Sequence, residues 1–68
     1  MTDEPRYTVH SYSLYWWIRD NETGQAAVNS NGARLFYHPR ANTWEEDDKA
    51  RERAQRKADR LNEEAGKL

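Results

Sequence analysis

The chain contains no cysteine. That removes a disulfide staple, a thiol nucleophile and a thiolate metal site together. Its three glycines are scattered at positions 24, 32 and 66, so no glycine-rich phosphate loop is present. No apolar run nears the ~20 residues that a membrane-crossing helix needs. The opening Met-Thr-Asp-Glu-Pro is acidic and polar, unlike a secretory leader, and the expected location is cytoplasmic. Charge of one sign is not in excess either. Eleven Lys and Arg stand against twelve Asp and Glu, so the whole chain is not a polyanion-seeking base.

What is present must be used efficiently. Apolar residues make up 35% of the 68 and charged residues 34%. Ordering a chain costs roughly 1.5 kcal/mol per residue, so the short apolar list must pack well or be supplemented by a partner. The composition changes near Thr43. Residues 1–44 carry all eight Phe, Trp and Tyr residues and both histidines, whereas residues 45–68 carry no aromatic residue and seven basic against eight acidic side chains. An aromatic, β-branched front and an Ala/Arg/Glu back predict a sheet followed by a helix within a single domain spanning 1–68.

Two turn signals divide the front half. Asp20-Asn21-Glu22-Thr23-Gly24 is a polar loop ending in Gly, and Asn29-Ser30-Asn31-Gly32 holds the Asn-Gly pair that tight hairpins favour. Strands are expected over 6–19, 25–29 and 33–38, the first bent near Ser11–Ser13 and the third ended by Pro39. Short connections make adjacent strands antiparallel, as a meander. Thr43-Trp44-Glu45-Glu46 reads as a capping box, with Thr43 accepting from the amide of Glu46 and Glu46 reaching back. A helix is expected over 44–64, with 65–68 as a tail. The fold class is therefore α+β: a three-stranded antiparallel meander with one C-terminal helix across one face.

The faces follow from periodicity. Ala50, Ala54, Ala58, Leu61 and Ala65 form a narrow helical stripe, and small residues there let the helix approach large aromatic side chains of the sheet closely. The expected covered face is Leu14, Trp16, Ile18, Val28 and either Leu35 or Phe36. Tyr15 and Trp17 then lie on the open face with an aromatic of the third strand; Tyr15, Trp17 and Phe36 are the candidate protein-binding residues. The bland alternative is that the N-terminal segment, through Tyr7 or Tyr12, covers that face. Lys49, Arg53, Arg56, Lys57 and Arg60 form a basic sector beside the alanine stripe and are the candidate charged flank. The ordinary account of that sector is a solvated face with Glu45–Lys49 and Glu52–Arg56 pairs.

Catalytic chemistry has little to work with. His10 and His38 have no Ser or Cys in a recognisable arrangement, and the Glu45–Asp48 run is better explained by the helix dipole than by a cation. No enzyme, cofactor or metal is expected.

Three family likenesses attach to these residues. Tyr15-Trp16-Trp17-Ile18-Arg19-Asp20-Asn21-Glu22-Thr23-Gly24-Gln25 resembles the aromatic strand, Arg-Asp turn and Gly of the arm-type DNA-binding domains of phage integrases. That resemblance implies three strands and a helix, with the sheet entering the DNA major groove; Arg19 and Arg34 are then the nucleic-acid contacts on the sheet. Basic Arg6, Arg19, Arg34 and Arg40 are, however, balanced by Asp3, Glu4, Asp20 and Glu22. Asn31 to His38 followed by Thr43-Trp44-Glu45 looks like the second half of a WW domain, which implies Tyr37 and Trp44 as walls of a proline groove. The spacing between them is short for that family and no proline follows Trp44, so the likeness is read as convergence. The whole pattern, with Arg60-Leu61-Asn62-Glu63-Glu64 closing the helix, is similar to small accessory proteins of phages and mobile elements. The expectation drawn from all this is non-enzymatic binding of a protein partner, as an inhibitor or modulator, with DNA or RNA binding and a structural homodimer as alternatives.

Overall fold

The structure, a computed structural model, describes residues 5–66. The expected tail residues 67 and 68 and the acidic start 1–4 lie outside the described residues. Four strands and one helix follow in order: β1 (Tyr7–Tyr12), β2 (Tyr15–Asp20), β3 (Gln25–Ala26), β4 (Phe36–Tyr37) and α1 (Trp44–Gly66). The antiparallel sheet with a C-terminal helix is the α+β arrangement expected.

The expected first strand, 6–19, is two strands. Tyr12 pairs with Tyr15 across a two-residue turn, and Ser13 takes a positive φ of 54° to make it. The bend expected near Ser11–Ser13 is this turn, although neither Ser13 nor Leu14 is among the Gly, Asn and Asp that usually fill such positions. Leu14 consequently sits at the hairpin tip, 78% exposed, and not on the covered face.

Segments 25–29 and 33–38 differ from the expected meander as well. Both β3 and β4 pair with β2, opposite Arg19–Asp20 and Trp16–Trp17 respectively, on the edge of β2 that faces away from β1. Ile18 is the junction between them: its carbonyl accepts from the Ala27 amide at 2.9 Å and its amide donates to the Leu35 carbonyl at 3.4 Å. Residues 28–34 leave the sheet as a small hairpin. Its neck is closed by the Leu35 amide on the Ala27 carbonyl (3.0 Å) and by a Val28–Arg34 bridge. Asn29 organises the tip, accepting at its side-chain oxygen from the amides of Asn31 and Ala33, and Gly32 supplies the positive φ of 83°. Val28 is exposed on this excursion and does not join the core.

The core lies between β2 and the helix. Ile18, Ala54 and Ala58 are fully buried and Ala27 nearly so, with Tyr7, Val9, Trp16, Leu35, Tyr37 and Leu61 packed around them. Leu35, and not Phe36, is the covered residue of the last strand. Large sheet side chains thus meet the alanine stripe, whose small size lets the helix approach closely. The helix begins at a working cap: the Glu46 amide donates to the Thr43 hydroxyl at 3.2 Å and the Asp47 amide to the Thr43 carbonyl at 3.0 Å. The return arm of the capping box is not made; the Glu46 carboxylate accepts from Lys49 at 3.3 Å instead. The expected Glu45–Lys49 and Glu52–Arg56 pairs are likewise replaced by Glu46–Lys49 and Asp48–Arg51, each three residues apart.

Two polar locks tie the helix to the sheet. The Trp16 indole N–H donates to Asp47 at 3.1 Å. The Asn62 side chain takes both outward backbone groups of Tyr7, accepting from its amide at 2.8 Å and donating to its carbonyl at 2.9 Å.

Candidate functional site

Strand parity decides what the helix leaves open. Val9 opposes Ile18, so Tyr7, Val9, Trp16 and Ile18 share the helix side, while Thr8, His10, Tyr12, Tyr15, Trp17 and Arg19 share the other. Phe36 opposes Trp17 and joins them. The candidate residues Tyr15, Trp17 and Phe36 are therefore brought onto one face.

Six rings converge there. Tyr15 lies 4.9 Å from Phe36, 5.1 Å from His38 and 5.8 Å from Tyr12 between ring centroids, and Trp17 lies 5.3 Å from His10. All four contacts are tilted, the geometry aromatic pairs prefer over face-to-face sandwiches. Of the two alternative covers for this face, Tyr7 packs on the helix side, and Tyr12 does not cover the face either. It extends the face instead, 65% exposed beside Tyr15, and residues 5–12 form an edge strand and its approach. A groove of about 670 Å³ runs over the patch, bordered by Tyr12, Tyr15, Trp17, Val28, Arg34 and Phe36.

The charges have been sorted as well. Asp20 is buried and held by Arg6 at both oxygens, and Glu22 lies 3.2 Å from the same guanidinium. Arg19 and Arg34 are exposed, and neither is in an ion pair among the described residues. Among the described residues the groove lining holds no carboxylate. The near-balance of charge along the strands thus becomes an acid-free aromatic face carrying two arginines.

The basic helix sector is not part of that face. Lys49, Arg53, Arg56, Lys57 and Arg60 belong to the helix, which packs on the other side of the sheet. Lys49 is engaged by Glu46, and Arg53 donates to the His38 carbonyl at 3.1 Å, stapling the helix to the chain just after β4. Tyr37 packs on the helix side, where burial raises the pKa of its phenol above the ordinary value and nearby Arg53 opposes that rise. Trp44 opens the helix at 87% exposure. The two residues that a WW-like groove would need as walls are therefore committed to different tasks.

The Thr8 hydroxyl and His10 Nε2 lie 2.7 Å apart, a contact that the pattern of the sequence did not advertise. The Asn21 side-chain amide donates to the same hydroxyl at 3.0 Å, and the His10 ring packs on Trp17. These contacts fix the imidazole as a wall of the aromatic patch. The acidic first turn of the helix is similarly spent, on Trp16, Lys49 and Arg51. Among the described residues no three His, Asp or Glu side chains gather as a metal site, and no helix is long and apolar enough to cross a membrane.

Comparison with protein-family models, with curated proteins and with solved structures finds no match to this chain.

Proposed function

We propose that this chain is a small non-enzymatic binding domain, acting in the cytoplasm as an accessory factor of phage or mobile-element type, that docks and modulates another protein through its open sheet face. The observation that carries this is the union of Tyr12, Tyr15, Trp17 and Phe36 with Arg34 around one groove that holds no carboxylate among the described residues, with Arg19 further along the same face of β2. Tyr, Trp and Arg are the residues that dominate the energetics of protein interfaces, and they do so where they cluster. Tyr15 already has ring neighbours in Phe36, His38 and Tyr12, so the patch offers a textured surface more than free ring faces for stacking. The two arginines select a partner whose contact surface is acidic at its rim.

The test is a photo-crosslinking amino acid at Tyr12, at the exposed margin of the patch, in cells of the natural host. The expected product is an adduct to a different protein, distinct in mass from a cross-linked pair of this chain, that disappears when Phe36→Ala is added. Absence of any such adduct, or one indifferent to Phe36→Ala, overturns the reading.

Single-stranded nucleic acid is the second reading, favoured by Arg34 beside the rings of the groove and Arg19 on the same sheet face. Tryptophan fluorescence titrated with oligonucleotides at ~50 and ~200 mM salt separates the two, because phosphate contacts weaken steeply as salt rises.

A further inference from the structure

The sheet has two outer edges, and they are treated differently. On one side the third strand position is broken between β3 and β4 by the 28–34 hairpin. On the other side β1 is six residues long and, among the described residues, pairs with β2 alone. Edge strands are normally blunted by lysines, prolines, bulges or inward-pointing charges, which prevent pairing with a second chain. Between Tyr7 and Tyr12 the sequence Tyr-Thr-Val-His-Ser-Tyr contains none of the charged residues or prolines.

The hydrogen-bonding inventory of that edge can be read off the register. Asn62 holds the amide and carbonyl of Tyr7, so those groups point outward, and backbone groups alternate along a strand. Val9 and Ser11 therefore also point outward, while Thr8, His10 and Tyr12 face β2. Tyr7 is sealed by Asn62, and the chain turns away after Tyr12. Among the described residues Val9 and Ser11 remain open, each with one donor and one acceptor.

We infer that β1 is a homodimer seam, in which a second copy of this chain adds its own β1 antiparallel about a two-fold axis through His10. In that register Val9 of one copy exchanges both hydrogen bonds with Ser11 of the other, and Ser11 with Val9. All four donors and all four acceptors are then satisfied. Sliding the seam toward Tyr7 requires expelling Asn62, and sliding it the other way runs into the turn at Ser13, so this register is singled out. The side chains meeting across it on the open face are Thr8 with Tyr12, and His10 with His10, with no carboxylate, lysine or arginine among them. Of the groove's border only Tyr12 reaches the seam, while Tyr15, Trp17, Val28, Arg34 and Phe36 belong to β2 and the segments beyond it, so this inference stands apart from the identity of the partner that binds there.

The absence of native cysteine makes the register directly readable. His10 and its symmetry mate form a non-hydrogen-bonded pair, whose Cα separation of about 4.5 Å lies within the disulfide range. Under mild oxidation, His10→Cys is expected to give a covalent dimer. Thr8→Cys and Tyr12→Cys should each remain mostly monomeric alone and give a heterodimer when mixed. Sedimentation equilibrium of the unmodified full chain is expected to show a monomer–dimer equilibrium. Ser11→Pro, which deletes an outward donor and no hairpin bond, should weaken that equilibrium about tenfold or more while leaving the circular dichroism of the helix unchanged. A chain that stays monomeric at every concentration tested overturns the inference. So does a dimer in which Tyr12→Cys cross-links to itself in preference to His10→Cys, because that places the seam elsewhere.

Discussion

Arg6 and Asp20 form a two-pronged pair, Nε on one carboxylate oxygen at 3.0 Å and Nη2 on the other at 3.1 Å, fastening the entry to β1 to the end of β2. The same carboxylate accepts from the Glu22 amide at 3.0 Å, and the Asp20 carbonyl accepts from Gly24 at 2.8 Å, so one residue closes the pair and shapes the turn. The Arg6 hydrogen bonds, with help from the Glu22 amide, hold the Asp20 carboxyl below its ordinary pKa of 3.8 against the opposing cost of burial.

A carboxyl whose folded pKa is depressed contributes stability that is complete above its unfolded value and is lost as pH falls through the folded one. Acid titration of the unfolding midpoint should therefore fall below about pH 4, and Asp20→Asn should flatten that limb. At neutral pH the same substitution is expected to lower the denaturant midpoint of unfolding, because Arg6 loses its charged acceptor.

Ser13 carries a positive φ of 54° in a two-residue turn, where glycine is the favoured occupant. Relief of roughly 1–2 kcal/mol of left-handed strain is offset by the larger unfolded-state entropy of glycine, roughly 0.4–1 kcal/mol. Ser13→Gly should accordingly stabilise the domain by about 0.5–1 kcal/mol. Thermal unfolding of the paired variants reads this directly.

Ala54 has no exposed surface and lies in the cluster with Ile18 and Ala58. Ala54→Leu inserts three heavy atoms into a contact that exists because the side chain is small. The expected loss is about 1–3 kcal/mol by overpacking. Ala65→Leu, at the half-exposed end of the same stripe, should change little.

Asn62→Ala should release both outward groups of Tyr7. Native-state hydrogen exchange is the measurement, with faster exchange expected at the Tyr7 amide and no change at the amides of Thr8 and His10, which face β2.

Much of the architecture was legible because it rests on patterns with a single physical cause. The alanine spacing, the threonine cap and the alternation of Trp16 and Ile18 against Tyr15 and Trp17 each dictate one outcome. The first hairpin was legible only as a bend near Ser11–Ser13, not as two strands. A serine and a leucine carry its turn, and the residues on both sides are aromatic and polar in alternation, so a continuous strand and a hairpin look alike. The parity of β2 survived that error, and only Leu14 changed sides. The sorting of charge was also hidden. Arg6, Asp20 and Glu22 meet through pairings remote in sequence, and only their removal from the balance leaves Arg34 at the groove and Arg19 on the same sheet face without an ion pair among the described residues.

The narrow neck at Ala27 and Leu35 has a practical corollary. Because Ile18 bonds to both of these residues, the sheet is sealed beneath the 28–34 hairpin and does not depend on how far that hairpin projects. The Ser30–Asn31 tip is thus a natural graft point: a peptide epitope or a fluorophore-bearing loop spliced there would ride on the domain without entering its core, at the entropic cost of a longer loop alone.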